Sequence, residues 1–497
     1  MLALRKTLFY LFIIIYLVLC PLIVLDSLGI NIDLGKQKII SATGLISIST
    51  IPQGAEITIN GKHFRKKSPA LVHDLPPGQY TIEITLDNYK TWQKTISIEK
   101  AQATALEDVL LIPVKWQSQA MTNRSFDRLI ATENNSFFLL QQGPNLKNLS
   151  IYKFKENFLH QISTINESPS KENKQPQQIF SSDSEYSEQK LTALTTMPQS
   201  PFVLIQSRIK NLPCYLWMDT SSDEFKPTDI TPLFVNSPEN IRWEKDDPEN
   251  IFYLSENKLS ILNTMKKSTT ADLTSAIKSY GLFNKQVFSI NDQNQFASLD
   301  YLNKTSKLLI GTLPQLPVEF QKDEHYIVQL FSENLILFQS DAGQLLSNKV
   351  PYVLVPKNVV GFSKQLVNNQ LLIWTKEKLG IVNFNKTNKE GVFEMGPDVH
   401  WLPVTGKDIR QAFWVNKDSH ILYLDRNQIK IVETNANTES SIDDITKTDS
   451  ELVYDDVSGK LFYLDQQTHQ LMSLTILPDH EFIAFMLPKN IQKKDIR

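Results

Sequence analysis

Residues 414–432 read WVNKDSHILYLDRNQIKIV. An aromatic residue opens the stretch, and a polar turn containing Asp418 follows. Ile421-Leu422 then leads into Tyr423-Leu424, and a second polar turn returns the chain into Ile429-Lys430-Ile431. Short apolar runs bounded by turn residues and rich in Ile, Leu and Tyr predict strands, since a helix needs a longer run with a 3.6-residue period. The arrangement recurs at 243–262, WEKDDPENIFYLSENKLSIL, and at 454–474, YDDVSGKLFYLDQQTHQLMSL. Tyr253-Leu254 and Tyr463-Leu464 occupy the place of Tyr423-Leu424. The repeating unit is a strand, a tight turn, a strand, a second turn and a third strand.

Weaker copies run from Phe137 to Phe154, Phe202 to Asp219, Val287 to Leu302, Ile327 to Leu346 and Leu371 to Phe384. That makes about eight copies, and a four-stranded propeller blade needs roughly 40–50 residues. Residues 115–485 are therefore expected to form a β-propeller of six to eight blades, with a row of β-sandwich domains as the alternative. The units resemble the blades of TolB-type and WD40-like propellers, although the Trp-Asp dipeptide is missing and glycine is scarce. Within this region, 163–201 is rich in Ser, Gln, Glu and Lys, and such composition predicts a long mobile insertion. Ala271 to Tyr280 is expected to form a short helix, and 486–497 a polar C-terminal tail.

Upstream, Leu45-Ile46-Ser47-Ile48 and Glu56-Ile57-Thr58-Ile59 alternate apolar and polar residues with the period of a half-buried strand. Asn60-Gly61 is a strong hairpin signal, because both central positions of a type I′ turn need positive φ. Tyr80 to Ile84, Thr95 to Ile98 and Ala105 to Ile112 bring the count to about five strands. Residues 44–113 thus read as a small β-sandwich. Ile51-Pro52-Gln53-Gly54-Ala55, Asn60-Gly61, Ser68-Pro69, Leu75-Pro76-Pro77-Gly78-Gln79-Tyr80 and Asn88-Tyr89 together resemble a PEGA domain, with Gln53 where the family has Glu. The resemblance implies a small extracytoplasmic module attached to a larger cell-surface protein. It supplies no catalytic residue.

Leu8 to Leu25 reads LFYLFIIIYLVLCPLIVL, with no charged residue and with Arg5 and Lys6 just before it. A run of this length nearly crosses a hydrocarbon core of about 30 Å. Residues 8–25 are expected to be an uncleaved transmembrane anchor, 1–7 a cytoplasmic N-terminus by the positive-inside rule, and 26–43 a spacer. A cleaved signal peptide is the alternative. Leu17-Val18-Leu19-Cys20 looks like a lipobox, but Leu19 is too large for one. The expected location is the cell membrane, single-pass, with the bulk of the chain extracytoplasmic.

The 51 basic and 54 acidic residues leave a net charge of −3, so no global basic excess favours nucleic acid. Two cysteines, Cys20 and Cys214, exclude an intramolecular disulfide framework in the soluble part. No Gly-x-Ser-x-Gly elbow, phosphate-binding glycine loop, His-Glu-x-x-His or EF-hand loop is present. Histidines 63, 73, 160, 325, 400, 420, 469 and 480 are scattered, and surface or turn roles are expected for them. The acidic pairs Asp246-Asp247, Asp443-Asp444 and Asp455-Asp456 are read as caps of backbone amides in turns. No catalytic, cofactor-binding or metal-ligating residue is assigned. The expected function is a membrane-anchored binding or scaffold protein of the cell envelope, not an enzyme, with a protein or polysaccharide partner and no nucleic acid. The alternative is a propeller enzyme, a glycan hydrolase or lyase, with carboxylates converging on the central channel.

Overall fold

Gly44–Ile51 alternates buried and half-buried side chains along most of its length, as a strand with one face on a core must. It pairs antiparallel with Ala70–Leu75 and parallel with Ala103–Leu110. A second sheet has the order Lys62–Phe64, Glu56–Ile59, Gly78–Thr85, Trp92–Ile98. Ile46, Ile48 and Val72 from the first sheet share one core with Ile57, Ile82, Ile84 and Ile98 from the second. The result is the expected sandwich, with seven strands where the sequence suggested about five. The edge strand Lys62–Phe64 has no alternation to read, and its exposed lysine is the kind of residue that protects sheet edges.

Two of the turn motifs are bonded to each other. Gly54 N–H donates to Ser68 O at 2.8 Å, Ser68 N–H to Ala55 O at 2.9 Å, and Ala55 N–H to Ser68 Oγ at 3.0 Å. Asn60 and Gly61 have φ of 47° and 74°, which is the type I′ pattern, and Ile59 faces Lys62 across the turn.

This computed structural model describes residues 12–13, 15–17, 19–20, 30–32, 40–100, 102–132, 137–154, 177–178, 185, 189–196, 200–209, 211–221, 225–244, 247–293, 295–301, 305–308, 320, 324–332, 335–348, 352–384, 399–435 and 442–478. The chain divides into two compact units, Met1–Trp116 with Leu477–Arg497, and Gln117–Ile476. Residues 12–13, 15–17 and 19–20 are helical. Among the described residues no helix is long and apolar enough to cross a membrane. Most of the expected anchor, 8–25, and all of the tail 486–497 lie outside the described residues. The expected spacer contains a small ladder, Ile30–Ile32 against Ile40–Ala42.

The second unit holds eight four-stranded antiparallel sheets among the described residues. We number them as blades by their first strands: Arg128–Ile130, Lys190–Thr196, Glu239–Glu244, Ile277–Phe283, Tyr326–Ser332, Val359–Phe362, Ile409–Val415 and Val453–Asp455. First strands approach one another between blades two and three, three and four, four and five, and six and seven, which puts them innermost. Blade eight takes its outer strand, Ser118–Ser125, from the start of the unit, where it pairs with Gln470–Thr475. This closes the ring, which covers the sheet faces that an open array would expose at its two ends and leaves only short edges. The Tyr463 hydroxyl adds a hydrogen bond to Ser118 Oγ at 2.6 Å across the same junction.

Each hydrophobic cluster of the ring draws on two successive sheets. Phe137, Leu139 and Ile151 of blade one meet Val203, Ile205 and Leu216 of blade two. Leu372 and Ile381 of blade six meet Ile409 and Ile421 of blade seven. Second strands are therefore buried on both faces, and Phe137–Gln141 and His420–Asp425 are buried at every position. This explains why the sequence shows continuous apolar runs there instead of alternation. All eight sequence copies fall on blades, one per blade.

Two expectations are corrected. Ala271 to Tyr280 is not helical: it spans the end of strand Ser268–Thr274, a turn with Ala276 at φ 60°, and the start of Ile277–Phe283. Cross-strand pairing of Leu259 with Thr274 and of Ile277 with Asn291 outweighs whatever helical preference the segment has. The segment 163–201 is not wholly a loop. It contributes Gln177–Gln178 as the outer strand of blade one and Lys190–Thr196 as the first strand of blade two. Leu191 and Leu194 pack on the core between these blades and hold the second of these strands. Most other residues of the segment lie outside those described.

Candidate functional site

In an antiparallel sheet of four strands, the turn between strands two and three and the link into the next blade lie at one end. In blades four to seven the first residue of strand one pairs with the last residue of strand two: Ile277 with Asn291, Tyr326 with Ser340, Val359 with Thr375, Ile409 with Asp425. Each second partner is polar, and each accepts backbone N–H groups. Asn291 Oδ1 accepts from Gln293 and Gln295 at 3.0 and 2.8 Å, and Ser340 Oγ from Gln344 at 3.2 Å. Thr375 Oγ1 accepts from Glu377 and Lys378 at 3.2 and 3.0 Å, and Asp425 Oδ1 from Lys407 and Asp408 at 2.8 and 2.9 Å. Side chains thus fix the turns and links at this end, with Gly343 at φ 76° helping in blade five.

Burial pushes the Asp425 carboxyl up, but the N–H groups of Asp408 and Lys407 and the Lys430 ammonium 3.3 Å away outweigh it. The net effect holds Asp425 below the usual carboxylate range and keeps the cap charged.

Blades six and seven join at this end through backbone hydrogen bonds. Ile409 N–H donates to Lys376 O at 2.8 Å, Gly406 N–H to Glu377 O at 2.7 Å, and Arg426 N–H to Asp408 O at 2.9 Å. On that frame stand five exposed cations, Lys376, Lys378, Lys407, Arg410 and Arg426, and Lys357 is exposed in the link into blade six, which bonds to the turn of blade five through Asn358 N–H and Ala342 O at 3.2 Å. The carboxylates of the same loops and turns are Glu377, Asp408 and Asp425, and Asp425 is paired with Lys430. The bulges at the heads of the first strands leave Val360 and Arg410 unpaired in the ladder, and bulges re-aim side chains. Val360 is 42% exposed, and Ile327 in blade five is 50% exposed. The neighbouring end of blade eight carries Asp449, Glu451 and Asp465, so the cationic sector stops there.

The residues singled out in the sequence do not assemble into one site. Asp247 accepts from Asn250 Nδ2 at 2.8 Å and from the Tyr301 hydroxyl at 2.9 Å, and Asp246 lies outside the described residues. Asp455 caps Val457 N–H at 3.2 Å and accepts from Ser458, as expected of a turn carboxylate. Burial and the charge of Asp455 push Asp456 up. Asp443 and Asp444 sit in strand Ile442–Lys447 and not in a turn. His420 departs from the expected surface role: it is buried, its Nδ1 is 2.9 Å from Ser419 Oγ, and burial lowers its pKa to about 4. Cys214 is buried, and burial pushes its thiol up. Among the described residues no group of three or more His, Cys, Asp or Glu side chains is placed to hold a metal ion.

The repeat's aromatic positions turn out to be packing groups. Trp243 and Trp414 are at the ends of first strands, and their Nε1 atoms are buried without a hydrogen-bond partner, as is the hydroxyl of Tyr454. The cationic sector escaped the sequence reading because its members come from four separate loops and turns. The available signal was the pair of lysines, Lys376 and Lys378, in the single turn that follows strand two of blade six.

With this geometry in place, the comparisons with known proteins bear on both units. Residues 43–111 match the PEGA domain. The match covers the seven-stranded sandwich, including the Gly54–Ser68 turn pair and the Asn60-Gly61 hairpin. No curated protein matches the sequence. Among solved structures, the chain is similar to Hsv2 of Kluyveromyces lactis, at 10% identity over 65% of this chain and 98% of that one, with a TM-score of 0.37. It is also similar to the β-propeller domain of Cps50 (Swd1) from Myceliophteria thermophila, at 8% identity over 57% and 96%, with a TM-score of 0.35. The designed protein Ika8 aligns at 9% identity over 71% and 97%, with a TM-score of 0.41. The fold assignment stands on the chain's own sheet topology.

Proposed function

We propose that this chain is a membrane-anchored, extracytoplasmic binding or scaffold protein of the cell envelope. In this reading the apolar segment 8–25 holds it in the membrane, with the N-terminus cytoplasmic. The PEGA domain acts as a spacer or envelope-contact module, and the propeller presents a rigid end to a partner. One observation carries the reading. Five exposed cations stand on a frame of backbone hydrogen bonds that joins blades six and seven, with Lys357 in the link before them. A fixed net excess of positive charge facing solvent suits recognition and steering. Hydrolytic chemistry calls for an acid and a base converging on one bond. The uncharged run of 8–25 behind Arg5 and Lys6, and the PEGA match, support the compartment.

Protease treatment of intact cells tests the topology, with an epitope tag at the C-terminus. Loss of the tag without lysis is the expected outcome. Protection of the tag until lysis would overturn the extracytoplasmic assignment and move the search for partners into the cytoplasm.

A further inference from the structure

We propose that the cationic sector of blades six and seven, together with the apolar rim at the channel mouth, docks an acidic protein segment carrying an apolar anchor residue. This deepens the binding reading above and rests on it. Three features select this occupant. The cations converge from four separate stretches of the chain: the link around Lys357, the turn Lys376–Lys378, the loop that carries Lys407 and Arg410, and the turn that carries Arg426. A run that is basic only locally, such as Lys62 to Lys67 in the PEGA domain, is explained by edge protection. The convergence on blades six and seven has no such explanation.

Second, the sector is held in place before any partner arrives. The bonds from Ile409 to Lys376, from Gly406 to Glu377 and from Arg426 to Asp408 fix the backbone beneath the charges. Preorganisation lowers the ordering cost of binding. Third, Val360 and Ile327 are large apolar side chains left about half exposed at the heads of the inner strands. Val360 occupies the same bulge position in blade six as Arg410 does in blade seven. A segment with glutamates or aspartates over Lys376, Lys407 and Arg426, and one aliphatic or aromatic side chain against Val360, satisfies both chemistries. A charged polysaccharide meets the charges but brings no apolar side chain to Val360.

The test is a fluorescence-anisotropy titration of the purified full chain in neutral detergent. The probe is a labelled synthetic peptide in which glutamates flank one leucine. Binding is expected to weaken at least about tenfold in the variant Lys376→Glu/Lys407→Glu/Arg426→Glu, since like charges set against each other are strongly unfavourable. It should also weaken on raising NaCl from about 50 to about 200 mM, as screening requires. Val360→Ser should cost a few-fold. All these side chains are exposed, so the circular dichroism spectrum and urea midpoint are expected to stay unchanged.

Equal binding of a glutamine-substituted peptide would overturn the proposal. So would an equal loss on reversing Lys62, Arg65 and Lys66 in the PEGA domain, which would show a non-specific charge effect. Preference for phosphatidylglycerol vesicles or a sulfated glycan, with no contribution from the leucine, would reassign the sector to a different class of ligand. Because the chain is in solution, a negative titration alongside an externally cleaved tag rejects the docking proposal alone. A positive titration with a protected tag rejects only the compartment.

Discussion

The PEGA domain and the propeller are both antiparallel for the most part, yet they solve the turn and the core by different means. In the PEGA domain each sheet turns one face to a single core, and the hairpin Asn60-Gly61 relies on glycine at φ 74°. In the propeller the second strands are buried on both faces, and two-residue turns such as Glu256-Asn257 hold φ of 52° and 59° with no glycine. Side-chain acceptors such as Asp425 and Thr375 fix the loop ends instead. The contrast is one of degree, since Ser68 Oγ also caps a turn of the PEGA domain and Gly143, Gly343 and Gly459 hold positive φ in the propeller. A closed ring of sheets constrains its turns from both sides, so its turn residues are freer to vary.

The largest effect should come where two-sided burial coincides with ring closure. Phe462 of blade eight packs on Phe138, Tyr152 and Phe154 of blade one, with ring centroids 5.2 to 5.3 Å away. Phe462→Ala removes a fully buried ring between first and last blades and should cost about 3–5 kcal/mol. Urea unfolding measures the loss, and hydrogen exchange locates it. Protection should fall in both Lys460–Leu464 and Phe137–Gln141, which are distant in sequence. If protection falls only around residue 462, the ring is not closed through this contact and the contrast with the PEGA domain weakens.

Next in size is the side-chain cap. Asp425→Ala leaves the N–H groups of Lys407 and Asp408 without their acceptor, and unsatisfied groups of this kind cost about 1–3 kcal/mol each. A total near 3 kcal/mol is expected. The sign with pH follows from the depressed carboxyl of Asp425. A group whose folded pKa lies below its unfolded value stabilises fully above the unfolded value and loses that contribution as pH falls through the folded one. The gap between wild type and Asp425→Ala should therefore stay constant from neutral pH down to the ordinary carboxylate range, and shrink below it. A gap that grows on acidification would mean that the carboxylate is not the capping species.

Much of this contrast was legible in the residues. Tyr253, Tyr423 and Tyr463 marked the second strands because an apolar run flanked by polar turns has few other readings. Asn60-Gly61 marked its hairpin because type I′ geometry asks for that dipeptide. Blade eight was harder, since its outer strand, Ser118–Ser125, is mostly polar and its partner lies at the far end of the unit. Lys190–Thr196 was hidden by the polar residues before it, and the Ala271–Tyr280 strands by a turn without glycine. The candidate site was the least legible part. Lys376, Lys407 and Arg426 become neighbours only through hydrogen bonds between blades, and no local pattern encodes such contacts. The polar caps are half visible in the residues: Asp455 caps its turn as an acidic pair at a turn predicts, whereas Asp443 and Asp444 are strand residues.

The smallest effect tests the turn comparison directly, by exchanging the two solutions. Glu256-Asn257 joins strands whose flanking residues Ser255 and Lys258 are paired, as Ile59 and Lys62 are around Asn60-Gly61. Both Glu256 and Asn257 are exposed, so substitution disturbs no packing. An L-residue in the left-handed region costs about 1–2 kcal/mol, and glycine avoids that cost while losing about 0.5–1 kcal/mol of chain entropy. The difference predicts that Glu256→Asn/Asn257→Gly raises stability by about 0.5 kcal/mol, seen as a higher urea midpoint at unchanged slope. The reverse exchange, Asn60→Glu/Gly61→Asn, also gives up the hydrogen bond from Thr81 N–H to Asn60 Oδ1 at 2.8 Å. It should therefore cost more than the propeller exchange gains. Equal and opposite shifts would mean that both turns answer only to backbone conformation. A larger loss in the PEGA domain would mean that its turn also anchors the neighbouring strand, as expected of a module that specifies its fold through its own turns.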